Sequence, residues 1–350
     1  MTPHASFLIG DTAVGDAAPC LVIAEVGLAH DGSLGTAHAY IDAVAAAGAD
    51  AVKFQTHEAE AEGTADETFR TPVFPQDATR TDYWRRTAFT RDQWAALKKH
   101  AEGTGMLFLS TPFSQAAVRL LRELDVKAWK VGSGETNNPL LLEELASGGE
   151  PVLLSTGMSY TSEVDTAVRF FQNRGVPIAL LQCTNRYPCP PEHLGLNVIS
   201  EYRLKYGIPV GFSDHSGEIA PGLAAVTLGA KILEVHVTWH KDSFGADVKA
   251  SLTIESLRDL IRGVRLLEQA LAAPVDKDAE AGRLESMRTL FTKGLVAKTD
   301  LPQGTIIQRE DIDAKKPCTG VPAASYESVI GKRTLRALRK DEPIRLTDVQ

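Results

Sequence analysis

Short apolar runs rich in β-branched residues recur along the chain at 21–26, 50–54, 106–110, 127–132, 151–155, 177–182, 208–213 and 232–237. Each run is of strand length and reads as a buried strand. Between most of them lie amphipathic stretches. Leu257, Leu260, Ile261, Val264, Leu267 and Leu271 are spaced by three and four, which places one apolar face behind a Thr253 cap. Gly48 and Gly229 end two such helices directly before a strand, as short αβ loops require. Eight strands alternating with helices predict an α/β chain folded as a (β/α)8 TIM barrel with an outer helical ring.

Two stretches break the repeat. Residues 57–90 separate the second strand from its helix and contain Pro72, Pro75 and several charges. A loop of that length usually covers something. After Leu271, Ala272-Ala273-Pro274-Val275-Asp276-Lys277-Asp278 reads as a linker into a different texture. The expected organisation is a barrel over 1–272, a linker over 273–287 and a small, mostly-β domain over 288–350. The small domain's strand-like pieces, Gly294 to Ala297, Thr305 to Ile307 and Glu342 to Leu346, are short and punctuated by Gly and Pro.

With 350 residues, 43% of them hydrophobic, the chain can bury a large core. A formal charge of −8 and no basic block argue against nucleic acid or an anionic membrane as main partner. Met1-Thr2-Pro3-His4 has neither a charged start nor an apolar core, and a cytoplasmic protein is expected. Cys20, Cys183, Cys189 and Cys318 form no Cys-x-x-Cys pair and read as reduced thiols without a role.

Polar residues gather where the apolar runs end. Glu25 closes the first run, and Lys53 with Gln55 the second. A buried salt bridge between Glu25 and Lys53 is the plain alternative to a functional pair. The other strands weigh against it. Thr111 ends the third, Lys130 with Ser133 and Glu135 the fourth, and Ser155 the fifth, so lysines alternate with hydroxyls and glycine-exposed amides around one rim. That combination suits a phosphate. Asn185 and Tyr187 follow the sixth strand and offer an amide and a phenol for orienting polar ligands. Glu135 and Asp247 add carboxylates suited to a hydroxylated substrate or to proton transfer.

His215 and His236 appear at the ends of the seventh and eighth strands. A lone His is more often packed or capping than a ligand, but imidazoles at neighbouring strand ends would converge on the same barrel mouth. Two of them with no third His or Cys make a poor structural zinc site. They suit a hard or borderline cation that keeps positions open for water and substrate oxygens. Among the remaining histidines only His30, in Leu28-Ala29-His30-Asp31-Gly32, stands out.

Taken together, Ile23-Ala24-Glu25-Val26-Gly27, Ala49-Asp50-Ala51-Val52-Lys53-Phe54-Gln55-Thr56, Ser110-Thr111-Pro112-Phe113, Lys130-Val131-Gly132-Ser133-Gly134-Glu135, Ser155-Thr156-Gly157-Met158, Ser213-Asp214-His215 and Glu234-Val235-His236 resemble the sialic acid synthase family. These transferases condense phosphoenolpyruvate with a sugar and join a catalytic barrel to a small antifreeze-like (SAF) domain. The resemblance spans nearly the whole chain. It implies that Lys53, Thr111, Lys130, Ser133, Ser155, Asn185 and Ser213 hold phosphoenolpyruvate, and that His215 and His236 bind Mn²⁺ or Mg²⁺. It also implies that Glu25, Gln55, Glu135, Tyr187 and Asp247 face an open-chain aldose, with Glu135 leading for proton transfer, and that the protein is a domain-swapped homodimer. The implied product is a nine-carbon 2-keto-3-deoxy sugar acid, made from N-acetylmannosamine or a diamino-dideoxy relative.

Three departures bear on the acceptor. The family's Asn-His-Asn-Gly turn is here Ala29-His30-Asp31-Gly32, which removes an amide and adds a charge near Glu25. Its Arg-Arg-Ser run is replaced around Arg288-Thr289-Leu290. Its Lys-Arg-Pro signature, whose arginine reaches the sugar from the partner subunit, is Lys315-Lys316-Pro317, and lysine lacks the planar fork of arginine. The competing readings are the same condensation on a different aldehyde, and a silent sugar-binding module with an ice-binding small domain. Lys298, Lys315, Lys316, Arg333, Arg336 and Arg339 make that domain too basic for an ice-binding face.

Overall fold

Parallel strands and covering helices alternate through the first of two compact units, Met1–Ala272 and Ala273–Gln350, in a computed structural model that describes residues 6–64, 67–69 and 76–350. The barrel strands are β1 (Leu21–Gly27), β2 (Ala51–Thr56), β3 (Leu107–Pro112), β4 (Trp129–Val131), β5 (Val152–Ser155), β6 (Ile178–Cys183), β7 (Val210–Asp214) and β8 (Ile232–Thr238). They pair in parallel in the order β3-β2-β1-β8-β7-β6-β5-β4, and β3 and β4 lie side by side at the closing seam. The result is a near-closed TIM-like barrel. No helix among the described residues is long and apolar enough to cross a membrane.

Two-residue alternation builds the interior. Ile23, Ala51, Leu109, Ala128, Leu153, Leu181 and Ile232 belong to one buried cluster inside the barrel, and an N-terminal hairpin, Phe7–Ile9 paired with Thr12–Val14, adds Ile9 and Val14 to it. Two residues further along each strand, on the same face, stand Glu25, Lys53, Thr111, Lys130, Ser155, Cys183 and Glu234. The apolar layer is the floor and the polar layer sits directly on it. In β7 the floor position is Gly211, where a Cβ would lie 2.6 Å from the carbonyl oxygen of Ile232. Ser213 completes that strand's step. Register fixes the neighbours: Glu25 is opposite Lys53 and His236, Gln55 is opposite Thr111, and Ser213 is opposite Glu234 and Cys183.

The outer helices end as the sequence predicts. Gly48 adopts a left-handed conformation at φ 91° and donates to Ala45 and Val44. Thr253 Oγ1 accepts from Ser256 N at 3.1 Å ahead of the helix Ile254–Ala272. The long segment after β2 carries two short helices, Ala59–Glu62 and Arg80–Thr87, before the outer helix Arg91–Gly103. Pro72 and Pro75 lie outside the described residues.

In the second unit, the stretch expected as a linker is helical over Lys277–Arg283, where Asp276 caps Asp278 N and Ala279 N, and again over Glu285–Phe291. Gly294–Ala297 pairs antiparallel with Ile312–Lys315, a strand that its exposed Asp313 and Lys315 disguise in the sequence. Thr305–Ile307 and Glu342–Leu346 contribute only isolated bridges, at Ile306 and Pro343. Leu295, Ala297, Leu301, Ile307, Ile312 and Ile344 form the unit's own core.

Candidate active site

The polar layer opens into a cavity of about 520 Å³ at the C-terminal ends of the strands. Its lining includes Glu25, Lys53, Gln55, Thr111, Lys130, Ser133, Glu135, Ser155, Asn185, Tyr187, Ser213, His215, His236 and Asp247. Residues spread over more than two hundred positions thus meet around one space. Lys316 belongs to the second unit, where its ammonium lies 5.3 Å from the centre of the Phe291 ring.

Two buried ammonium groups dominate the polar layer. Lys53 Nζ donates to Thr111 Oγ1 at 3.1 Å, pairs with Glu25, and lies 3.7 Å from Glu234. Lys130 Nζ donates to Ser155 Oγ at 2.7 Å and lies 3.5 Å from the same Glu234, which also accepts from Ser213 at 3.0 Å. The salt bridge between Glu25 and Lys53 therefore exists, and it is part of the cavity wall. Burial works against the charge on both lysines. For Lys53 the Glu234 and Glu25 carboxylates outweigh that cost and raise its pKa, whereas Lys130, with Lys53 as a cationic neighbour, is held below the usual lysine range. Burial also opposes the charge on Glu234, but Lys130, Lys53 and His236 hold its carboxyl well down. Ionised Glu234 keeps two like charges compatible in one low-dielectric pocket.

Glu234 is one of the cavity residues to which the sequence assigns no role. It shares strand parity with His236, so the same period-two step that points His236 inward points Glu234 inward too.

A second wall comes from the loops after β4, β5 and β6. Ser133 lies in a 3₁₀ turn, Ser133–Glu135, accepts from Gly157 N at 3.0 Å and contacts Cys183 Sγ at 3.0 Å. Gly157 is required there. A Cβ would lie 2.6 Å from Cys183 Sγ, 2.9 Å from Ser133 Oγ and 3.0 Å from Asn185 Oδ1. Glu135 accepts from Asn138 Nδ2 at 2.7 Å, which orients its carboxylate.

His215 and His236 face one another with ring centres 5.4 Å apart. His215 Nδ1–H donates to the Thr184 carbonyl at 2.9 Å, and Nε2 accepts from the Tyr187 hydroxyl at 2.9 Å. Burial, with His236 nearby, lowers the His215 pKa to about 3, so the ring is neutral. A neutral imidazole anchored through Nδ1 has its one lone pair on Nε2, the form a metal requires, and here the Tyr187 hydroxyl occupies the position a cation would take. Among the described residues no set of three or more His, Cys, Asp or Glu side chains is placed to hold a metal ion. The pair fits a cation only as a partial donor set, with water and substrate oxygens filling the other positions.

His30 is not at the cavity wall. It is buried against Phe89 with ring centres 4.6 Å apart, and its Nδ1 accepts from Gly32 N. Asp31 pairs with Arg86 at 2.8 Å, so the charge introduced beside Glu25 in the sequence is neutralised by a helix residue far along the chain.

The whole chain has relatives. Residues 40–276 match the NeuB family and residues 292–350 match the SAF domain. The chain is 36% identical to the N-acetylneuraminate-9-phosphate synthase of Homo sapiens, across 95% of this chain and 93% of that protein. It is 32% identical to an N,N'-diacetyllegionaminic acid synthase of Campylobacter jejuni, across 93% and 98%. A crystal structure of the N-acetylneuraminic acid synthetase of Leptospira borgpetersenii, in complex with citrate, superposes with a TM-score of 0.73 at 30% identity, over 82% of this chain and 97% of that one. The chain is a member of the NeuB family of synthases, with a C-terminal SAF domain.

Proposed function

We propose that this enzyme condenses phosphoenolpyruvate with an open-chain N-acylated hexosamine, giving a nine-carbon 2-keto-3-deoxy sugar acid and phosphate. One observation carries the reading: two buried ammonium groups flank Glu234 in a layer of hydroxyls, beneath a rim of carboxylates and imidazoles. A small ligand that carries both a phosphate and a carboxylate suits the polar layer, and a neutral polyhydroxylated one suits the rim.

In this reading Lys53, Lys130, Thr111, Ser133, Ser155, Asn185 and Ser213 bind the phosphate and carboxylate of phosphoenolpyruvate. Glu25, Gln55, Tyr187 and Asp247 hold the hydroxyls of the acceptor. A divalent cation, Mn²⁺ or Mg²⁺, held by His215 and His236 would supply Lewis-acid polarisation of the acceptor's carbonyl. C3 of phosphoenolpyruvate bonds to the aldehyde carbon, and the aldehyde oxygen takes a proton to become a hydroxyl. Water then adds at C2 and gives up one proton, which balances the one taken by the aldehyde oxygen; the bond between C2 and the phosphate ester oxygen breaks, and the new C2 hydroxyl gives its remaining proton to the departing phosphate, leaving a ketone. Glu135, oriented by Asn138, is assigned the proton transfer. Product identification by mass spectrometry, with phosphate release followed across a panel of aldoses, tests the assignment; phosphate release from none of them would refute it.

Gly157→Ala is expected to raise KM for phosphoenolpyruvate more than it lowers kcat, because its Cβ displaces Ser133 and Asn185. A stability cost of about 1–3 kcal/mol accompanies the overpacking. Steady-state kinetics and a thermal melt read both quantities.

The acceptor half is proposed to be completed in a head-to-tail, domain-swapped homodimer, with the partner subunit's Lys316 meeting the sugar. Deletion of residues 288–350 should leave a barrel with native circular dichroism and poor turnover, through a raised KM for the aldose. An unchanged aldose KM in that truncation would remove the small domain from the acceptor site.

A further inference from the structure

The outer wall of the cavity holds a hydrogen-bonded chain that runs from Glu25 and Gln55 to two side chains the roles above leave unused, His57 and Glu62. His57 directly follows β2 and lies flat between two rings, 4.5 Å from Phe113 at an interplanar angle of 4° and 4.9 Å from Trp84 at 12°. Arg80 lies over the Trp84 ring, 4.7 Å from its centre. The stack fixes the plane of the imidazole and directs its two nitrogens along the wall. Nδ1 lies 2.7 and 2.9 Å from the carboxyl oxygens of Glu62, and Nε2 lies 3.3 Å from Gln55 Oε1. Gln55 Nε2 donates to Glu25 Oε1 at 3.0 Å, and Glu25 pairs with Lys53.

Donors and acceptors along this chain have one consistent order. Glu25, ion-paired with Lys53, only accepts, so Gln55 turns its amide nitrogen toward Glu25 and its oxygen toward His57. That oxygen needs an N–H from Nε2. Burial, reinforced by Arg80, lowers the His57 pKa to about 3, so the ring carries one proton and Nδ1 has only a lone pair. Glu62 must supply the hydrogen at Nδ1. Burial, followed by the neighbouring Glu67 carboxylate, pushes the Glu62 carboxyl up to about 9, which keeps it protonated at neutral pH.

We propose that Glu62 and His57 are positioning residues, a relay that holds the Gln55 amide in one orientation and through it fixes Glu25 for the acceptor. The inference rests on the synthase reading of the cavity. When Glu62 gives up its proton it can only accept, and His57 must move its proton to Nδ1. Nε2 then presents a lone pair to Gln55 Oε1, the amide turns over, and its oxygen faces the Glu25 carboxylate. The charged and titratable groups facing the relay are Glu67, Arg80 from the helix Arg80–Thr87, Glu135 from the turn after β4, Glu25 from β1, and His30 from the turn after β1. They set the pH at which the change occurs.

The test uses the full chain with ¹⁵N-labelled histidine, His57 being assigned by the signals lost in His57→Gln. Near neutral pH the ring is expected as the Nε2–H tautomer, passing to Nδ1–H as the pH rises through about 9. In Glu62→Gln, whose amide donates to Nδ1 but does not titrate, the tautomer stays Nε2–H. Glu62→Ala is expected to lower kcat/KM for the acceptor about tenfold, without change in KM for phosphoenolpyruvate. Glu62→Gln rescues that loss and removes the alkaline fall of the wild-type profile. An Nδ1–H tautomer in the wild type near neutrality, or a Glu62→Gln titration that tracks the wild type, overturns the relay. If no aldose releases phosphate the synthase reading fails by itself, and the tautomer measurement still decides the relay.

Discussion

Lys53→Met is expected to lower kcat/KM by about 10²–10³-fold and to destabilise the barrel by about 3–5 kcal/mol. The two losses have one cause. The ammonium of Lys53 lies against Glu25 and within 3.7 Å of Glu234, and it donates to Thr111. Burial disfavours its charge, but the two carboxylates more than compensate, which is why its pKa rises. Methionine fills the volume and leaves the carboxylates behind. Glu234 keeps Lys130 at 3.5 Å, whereas Glu25 keeps only the amide of Gln55 among the partners described above. A buried carboxylate without its cation carries most of the stability cost. In the proposed function the activity loss comes from the charge missing beneath the phosphate. A double variant, Lys53→Met with Glu25→Gln, separates them: the melting temperature should partly recover while phosphate release does not. Wild-type kcat/KM in Lys53→Met would remove the lysine from the chemistry.

Much of this site is legible in the chain because its geometry is local to each strand. An apolar position followed two residues later by a charge or a hydroxyl, repeated in strand after strand, is the linear image of an apolar floor under a polar ring. Glu234 obeys that rule and is hidden only by the more conspicuous His236 two residues on. His57 carries the same parity beyond Gln55, but its meaning depends on Glu62, Trp84 and Arg80, which reach it from a segment without periodicity. No spacing rule encodes those contacts. The small unit is harder for another reason. Ile312–Lys315 buries only alternate side chains and exposes Asp313 and Lys315, so its pairing with Gly294–Ala297 leaves no apolar run to read. The helices at 277–291 expose Leu284, Met287, Leu290 and Phe291, and capping by Asp276 rather than a buried face marks the first of them.

His215→Ala and His236→Ala are each expected to reduce phosphate release to the level of the uncatalysed mixture. Chelation of the wild type should do the same, and readdition of Mn²⁺ or Mg²⁺ should restore it. The expectation rests on what each ring presents to the cavity. His215 is neutral, anchored by Nδ1–H on Thr184, and its Nε2 lone pair is met by the Tyr187 hydroxyl. His236 stands opposite Glu25 in register, with its ring 5.4 Å from that of His215. With His215 and His236 as the two proposed protein donors, losing either leaves a single imidazole, too few to retain a cation against water. Metal content measured on the purified variants gives a readout independent of turnover, and it should fall to background in both. Tyr187→Phe separates ligation from orientation. It removes the hydroxyl at Nε2 but leaves the Thr184 anchor, so it should keep the metal while raising KM for the acceptor. Undiminished phosphate release in both alanine variants, or metal retained at wild-type stoichiometry, would take the imidazoles out of cation binding.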